Sequence, residues 1–140
     1  MQFVPHLHFK GNCEEAFKLY EQCLGGKIQS MSTYAGTPVE SHIPADWRDK
    51  VMHATLAVGD QLLMGCDPPP EQFQSPAGFS VTIQFNDTAA GERVFNTLAE
   101  GGKVTMPFQK TFWSPGFGMV DDRFGIPWMI NCTQAAQQSA

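Results

Sequence analysis

The residues near the start of the chain that are best suited to chemistry are two histidines, His6 and His8, separated by one residue. Apolar and polar side chains alternate from Phe3 to Phe9, which predicts a strand with both imidazoles on one face and Leu7 and Phe9 on the other. Two imidazoles on one face can hydrogen-bond an acidic or oxygen-rich ligand, or bind one metal ion. A surface histidine with neither role is the ordinary alternative.

The second chemically distinctive stretch runs from Phe112 to Asn131 and reads FWSPGFGMVDDRFGIPWMIN. Its aromatic residues flank a turn cluster at residues 122–125, which predicts a β-hairpin. Glycines in such a hairpin allow a ligand or another backbone to approach closely. We therefore expect Trp113 and Trp128 to form part of a pocket wall, with core packing as the alternative for each.

Length, composition and charge restrict the possible classes of protein. The chain has 140 residues, of which 42% are hydrophobic and 16% charged, and this composition fits one globular domain. The formal charge of −5 and the scattered basic residues argue against nucleic acid as a partner. No apolar run is long enough for a membrane span, and the first residues do not form a signal-peptide pattern. We expect a cytoplasmic protein whose dispersed cysteines are free thiols.

Two helices are predicted from apolar spacing and from the residues at their ends. The first begins after Asn12, a good N-cap residue, and ends at Gly25-Gly26. The second is capped by Asp87 or Thr88 and ends at Gly101-Gly102. Besides the N-terminal strand and the aromatic hairpin, strands are predicted at residues 27–34, 51–58, 61–66, 79–85 and 103–106.

The two halves of the chain repeat one pattern. Leu7 precedes Ile83 by the same number of positions as Gly25 precedes Gly101, so strand, helix and helix end recur in register. Each half predicts a βαβββ module, at about residues 1–67 and 79–132. The proline-rich segment between them predicts a linker inside a single domain, residues 1–132, and residues 133–140 predict a flexible tail.

Several segments carry a family resemblance. GNCEEAFKLY at residues 11–20 and DRFGIPWMIN at 122–131, with PHLHF at 5–9 and VMHA at 51–54, resemble the PhnB-like branch of the glyoxalase, bleomycin-resistance and extradiol-dioxygenase superfamily, also called vicinal oxygen chelate. The resemblance extends from Phe3 to Cys132. It implies an α+β fold in which two βαβββ modules form a curved mixed sheet with a cup-shaped cavity, usually in a homodimer.

The enzymes of that superfamily typically hold a divalent metal with side chains from four strand positions. Carried over onto this chain, those positions fall at Val4, at Leu63 or Met64, at Ser80 and at Met129. None of these residues is a usual ligand for a hard or borderline cation. The resemblance therefore implies the fold, while the usual metal cofactor is not expected here.

The leading hypothesis is a small-molecule-binding protein without the usual metal. Thr82 and Gln84 are the repeat counterparts of the two N-terminal histidines, so the modules could present unlike polar groups to one ligand. The predicted ligand-binding residues are His6, His8, Thr82, Gln84, Trp113 and Trp128.

Two alternatives remain from the sequence. One is a metal-dependent lyase, isomerase or dioxygenase with altered ligands, in which a divalent ion is held by His6 and His8 with His53, Asp67 or Cys66 as further donors. No catalytic carboxylate can be assigned for it. The other is the 3-demethylubiquinone 3-methyltransferase activity often attached to this branch, although the glycines here mark helix ends and hairpins rather than a nucleotide-binding loop.

Overall fold

The computed structural model describes residues 1–133 and contains two α-helices and eight β-strands in that part of the chain. The helices are α1 (Cys13–Leu24) and α2 (Thr88–Ala99). The strands are β1 (His6–His8), β2 (Lys27–Thr33), β3 (Val51–Val58), β4 (Gln61–Cys66), β5 (Val81–Phe85), β6 (Lys103–Gln109), β7 (Phe117–Asp121) and β8 (Pro127–Cys132). The chain divides into two compact units, Met1–Ser75 and a second unit that begins at Pro76.

Each unit contains one four-stranded mixed sheet. The strand order of the first sheet is β1-β4-β3-β2, with β1 parallel to β4 and the other neighbours antiparallel. The second sheet repeats this arrangement in the order β5-β8-β7-β6, with β5 parallel to β8. The α+β fold with two βαβββ modules, expected from the sequence, is confirmed.

Helix α1 packs on one face of the first sheet because its apolar residues recur at helical spacing. Ala16, Phe17 and Tyr20 are fully buried, and the Phe17 ring centroid lies 6.1 Å from that of Phe9. Gly65 in β4 permits this close approach, since a Cβ atom there would lie only 2.7 Å from the Phe17 ring. Since α1 is the one α-helix of residues 1–75, the opposite face of the sheet has no α-helix of this unit packed on it.

The start of α1 differs from the sequence prediction. Asn12 makes no side-chain capping hydrogen bond, and its Oδ1 atom is buried with no hydrogen-bond partner among residues 1–133. Instead, Asp67 Oδ1 accepts the backbone N–H groups of Gly11 at 2.9 Å and Cys13 at 3.1 Å. The carboxylate that caps the helix follows β4, so a tertiary contact replaces the local cap.

Helix α2 begins as the sequence predicts. Asp87 Oδ1 accepts the backbone N–H groups of Ala89 at 3.0 Å and Ala90 at 3.3 Å, which satisfies two donors of the first turn. The buried face of α2, which packs on the second sheet, consists of Gly91, Val94, Phe95 and Leu98.

Some predicted boundaries are shifted. β1 begins at His6 rather than Phe3, and the aromatic hairpin pairs only from Phe117 onward, because residues 112–116 form a loop. Thr133, placed in the predicted tail, donates its backbone N–H to the Phe85 carbonyl oxygen at 2.7 Å. The remaining tail, 134–140, lies outside the described residues. Among residues 1–133, neither helix has the length and apolarity required to cross a membrane.

Candidate functional site

The open face of the first sheet, which is the face opposite α1, carries His6, His8, His53 and Cys66. Across the parallel β1–β4 pair, the first histidine lies opposite Met64 and the second opposite Cys66. In β3, Ala54 pairs with Gly65 on the helix-covered face, so the neighbouring His53 projects to the open face. Strand alternation and register together bring these four side chains to one surface.

The side chains on this open face are close enough to act together. His6 Nε2 lies 3.4 Å from Cys66 Sγ, and the donor atoms of His6, His8 and Cys66 all lie within 4.8 Å of one another. The ring centroid of His6 is 5.4 Å from that of His8 and 6.0 Å from that of His53. The fourth histidine, His42, is exposed in the segment between β2 and β3. Three of the four histidines therefore form one cluster.

Two members of the cluster, His6 and Cys66, favour their uncharged forms. The pKa of His6 is lowered from its ordinary value of 6.5, first by burial and then by the positive charges that His8 and His53 would carry. Burial raises the pKa of the Cys66 thiol to about 11, and the carboxylate of Asp67 adds to the shift. Near neutral pH, a ligand would therefore find His6 as a neutral hydrogen-bonding group and Cys66 as a thiol.

The backbone around Cys66 is fixed on both sides. Phe9 donates its N–H to the Cys66 carbonyl oxygen at 3.0 Å, and the next residue, Asp67, donates its N–H to the Val51 carbonyl oxygen at 2.7 Å. These hydrogen bonds tie the end of β4 to β1 and to the start of β3. The backbone position of Cys66, and with it the place of its thiol at the end of β4, is therefore fixed.

Asp67, which the sequence suggested as a metal donor, has a structural role instead. Its side chain is buried, and Oδ2 accepts the backbone N–H of Val51 at 3.0 Å while Oδ1 caps the start of α1. Its carbonyl oxygen accepts the Tyr34 hydroxyl at 2.8 Å and the Trp47 indole N–H at 3.2 Å. Both carboxylate oxygens are bound to backbone amides, which argues against the suggested role of Asp67 as a metal ligand.

The second sheet has an equivalent open face opposite α2. There Thr82 lies opposite Met129 and Gln84 opposite Asn131, which repeats the relation between β1 and β4. The Thr82 hydroxyl lies 3.5 Å from Met129 Sδ. The Oδ1 atom of Asn131 is buried and lacks a hydrogen-bond partner among the described residues. Sequence reasoning missed Asn131, although its alternation with Met129 in β8 indicated the same face.

Trp113 lies beside this second open face. Its side chain is about half exposed, and its ring centroid is 5.3 Å from that of Phe117, which pairs with Asn131. Phe112 packs on Trp113 with ring centroids 4.8 Å apart and is almost fully exposed. The placement leaves Trp113 accessible to a ligand or a partner.

Trp128 is placed differently from the sequence prediction. It is 2% exposed, and its indole N–H donates to Asp122 Oδ2 at 2.8 Å. Because the adjacent Met129 lies on the open face, strand alternation puts Trp128 on the helix-covered face. This placement corresponds to core packing, the alternative considered for Trp128, and argues against its expected role as a pocket wall.

The four positions that superfamily resemblance assigns to a metal do not fit such an ion. They carry Val4, Ser80, Met129 and, in the first module, Met64, since Leu63 is buried and pairs with Leu56 on the helix-covered face. These positions offer no carboxylate or imidazole to a hard or borderline cation.

Comparisons with known proteins identify close relatives of the chain. Residues 1–131 match the family model described as 3-demethylubiquinone-9 3-methyltransferase. Protein YjdN from Escherichia coli strain K12 is 33% identical over 139 residues, which cover 94% of this chain and 95% of that protein. The crystal structure of protein PA1353 from Pseudomonas aeruginosa is 47% identical, with a TM-score of 0.87 over 95% of this chain and 98% of that one.

More distant structures share the fold. A putative 3-demethylubiquinone-9 3-methyltransferase, PhnB protein, from Bacillus cereus has a TM-score of 0.80 at 24% identity, covering 95% of this chain and 100% of that one. The bleomycin-binding protein of Streptomyces verticillus, solved with copper(II)-bleomycin, has a TM-score of 0.59 at 16% identity, covering 94% and 95%. At these identities the likeness shows the fold alone.

Proposed function

The chain belongs to the family described as 3-demethylubiquinone-9 3-methyltransferase, within the glyoxalase and bleomycin-resistance superfamily, and from this premise we propose that it binds a small oxygen-bearing molecule. One observation carries the proposal: three histidines from β1 and β3 cluster on an open sheet face that has no helix of its own module over it. His6 and His8 are exposed and His53 is half-buried, so a ligand can reach their ring nitrogens on this face.

The ligand chemistry follows from the state of the imidazoles. A neutral imidazole offers one N–H donor and one acceptor nitrogen, so His6 in this state can donate to a carbonyl or carboxyl oxygen and accept from a hydroxyl group. The lowered pKa of His6 disfavours binding that depends on a permanent positive charge at this residue. A polyol, hydroxy acid or keto acid therefore fits better than a ligand recognised only by its negative charge.

The second open face supports the same proposal with different groups. Its equivalents of the first-sheet side chains are an alcohol and two amides, Thr82, Gln84 and Asn131. The side-chain amide oxygen of Asn131, Oδ1, is buried and has no hydrogen-bond partner among residues 1–133. A hydrogen-bond donor on a ligand would satisfy it. Trp113 would add an apolar contact.

Fold relatives give this proposal a precedent. The bleomycin-binding protein, whose fold resembles this one, is described as a complex with copper(II)-bleomycin, a small-molecule ligand. The proposal requires neither a metal at the superfamily positions nor methyl transfer, and it assigns no catalytic residue. Among residues 1–133, the positive-φ glycines include Gly25 and Gly101 at helix ends, and only Gly11 lies between a strand and the α-helix that follows it. A single glycine at that place is not the glycine-rich arrangement of a nucleotide-binding loop.

Ligand titrations followed by NMR test the proposal. Metal-free protein, with its imidazole carbons labelled, is titrated separately with lactate, pyruvate, malonate and glycerol to about 10 mM, where even millimolar affinity is detectable. We expect at least one compound to shift the His6 and His8 resonances saturably while His42 stays unchanged. His6→Gln and His8→Gln should weaken that binding and His42→Gln should not. Unsaturable or equal shifts at all four histidines for every compound would contradict the proposal.

We also infer a homodimer and a cytoplasmic location. The resemblance implies the dimer, and several large apolar side chains are exposed, among them Phe79, Phe112 and Trp113. All four cysteines are free, which is the state that a reducing compartment maintains. Neither inference is needed for the ligand site on the first sheet.

A further inference from the structure

We propose that His6, His8 and Cys66 form a binding site for one soft or borderline transition-metal ion, such as Zn²⁺ or Co²⁺, at a place that differs from the superfamily's usual metal positions. The potential donor atoms of these three side chains all lie within 4.8 Å of one another. The inference uses the same open face as the proposed small-molecule binding but does not depend on that binding.

The distance between the His6 and Cys66 donor atoms matches that between two ligands of a tetrahedral ion. With Zn–N of about 2.05 Å and Zn–S of about 2.3 Å, the nitrogen and sulfur ligands of a tetrahedral zinc lie about 3.6 Å apart. His6 Nε2 and Cys66 Sγ are already 3.4 Å apart. The remaining donor, on His8, lies within 4.8 Å of the other two and would move closer to them on binding the same ion.

The backbone holds the three residues in register. The two histidines occupy one face of a three-residue strand, and the parallel β1–β4 pair places Cys66 directly opposite His8. The Phe9 N–H bond to the Cys66 carbonyl oxygen fixes this pairing at its end. An ion would therefore bind to a preformed arrangement, which reduces the entropic cost of assembling the ligands.

The donor types define the metal class. Two imidazole nitrogens and a thiolate suit Zn²⁺, Co²⁺ and copper, whereas Mg²⁺ and Ca²⁺ require oxygen ligands. Three protein ligands leave the fourth tetrahedral position for water or an added ligand, as in open zinc sites. The second open face carries Thr82, Gln84 and Asn131 at the equivalent positions, so the proposed ion site belongs to the first module.

Cobalt titration tests the proposed site. Untagged, reduced full-length protein is stripped of metal and titrated with Co²⁺, and a thiolate-to-cobalt charge-transfer band is expected to saturate near one equivalent. Zn²⁺ should then remove the band by displacement. Because the thiol loses its proton on binding, the affinity should rise with pH.

Matched variants distinguish the site from adventitious binding. Cys66→Ser should abolish the charge-transfer band. His8→Gln should weaken Co²⁺ binding by at least about 10-fold, because even the loss of a residue that only hydrogen-bonds to a metal ligand typically lowers metal affinity by about that factor. Cys23→Ser and His42→Gln, which alter a cysteine and a histidine outside the cluster, should leave the titration unchanged.

The proposal is overturned if the band survives in Cys66→Ser, if Cys23→Ser abolishes it, or if wild-type protein shows no saturable band. None of these outcomes bears on the ligand titration, which uses metal-free protein. The two proposals therefore fail separately.

Discussion

At the scale of single residues, Asp67 shows how one buried carboxylate organises the first module. Its two oxygens accept three backbone N–H groups, from Gly11, Cys13 and Val51, at 2.9 to 3.1 Å. These amides belong to the start of α1 and the start of β3. A carboxylate with this many charge-assisted hydrogen bonds serves the fold, and it also fixes the position of the preceding residue, Cys66.

Replacement of Asp67 by asparagine should destabilise the protein strongly. The new amide group turns an NH₂ donor toward at least one backbone N–H, which loses its acceptor in a buried place. We expect a loss of about 2–3 kcal/mol in the free energy of unfolding, measured by urea denaturation. Asp60→Asn, in the exposed turn between β3 and β4, is the control and should change stability little. Equal stability of the two variants would contradict this account.

His6 should titrate below its ordinary pKa of 6.5 in metal-free protein. Burial is the main cause and the charge of His8 the next, so His8→Gln should raise the pKa of His6 only part of the way back. An imidazole NMR titration measures both values. A His6 pKa at or above 6.5 in the wild-type protein would show that the cluster does not assemble as described.

The lowered pKa of His6 also determines how this residue makes the stability of the protein depend on pH. Because the folded state binds the His6 proton less tightly than the unfolded state does, this contribution to stability is fully present above about pH 6.5. It is lost as the pH falls through the lowered pKa of the folded state. Urea denaturation at several pH values should show a weaker acid dependence for His6→Gln than for wild type.

At the scale of secondary-structure elements, Gly91 decides how closely α2 approaches β8. A Cβ atom at this position would lie 2.6 Å from Cys132 Sγ and 3.2 Å from Phe85 Cδ2. Glycine is an unfavourable residue inside a helix, by about 1 kcal/mol relative to alanine. Its presence here is explained by packing rather than by helix propensity.

Gly91→Ala should therefore destabilise the protein in spite of its better helix propensity. Overpacking of a dense core costs about 1–3 kcal/mol. With a Cβ atom only 2.6 Å from Cys132 Sγ, we expect a cost in the upper part of that range, which exceeds the propensity gain of about 1 kcal/mol. Chemical denaturation of the single variants and of Gly91→Ala/Cys132→Ala forms a double-mutant cycle. We expect the alanine at position 91 to cost less when the sulfur is absent. An equal cost in both backgrounds would rule out the contact with Cys132 as the cause.

At the scale of the whole molecule, the same βαβββ arrangement occurs twice with different chemistry on its open faces. The first module presents imidazoles and a thiol, and the second presents an alcohol and two amides at the equivalent strand positions. The two modules share one strand order but carry different hydrogen-bonding side chains, so each module can make different contacts with a ligand. The fold therefore indicates where binding groups lie, while the side chains determine what each module can bind.

The whole protein should be a dimer in solution. Phe112 is 98% exposed and packs on Trp113, and burial of two such aromatic rings in an interface would be favourable. Light scattering after size-exclusion chromatography should give twice the mass of the 15.5 kDa chain. Phe112→Ser/Trp113→Ser should shift the population toward monomer, and Val39→Ser, at another exposed apolar residue, should not. A wild-type monomer at all concentrations would contradict the dimer.

The sequence by itself determined the elements of the fold and the faces of many strand residues. Alternation in β1 separated His6 and His8 from Leu7, and glycine after the apolar spacing of α1 located the helix end. The repeated pattern predicted two βαβββ modules. These features depend on local geometry, which is encoded by residues near one another in the chain.

Only the tertiary structure decided which distant residues meet. The parallel register of β1 with β4 places Cys66 opposite His8, and the fold uses Asp67 rather than Asn12 to cap α1. The packing of α2 on the second sheet buries Trp128 on the face opposite Met129. Strand register and helix docking are set by long-range packing, and a shift of one residue would reverse every strand side chain, so the composition of the site could not be read from local patterns.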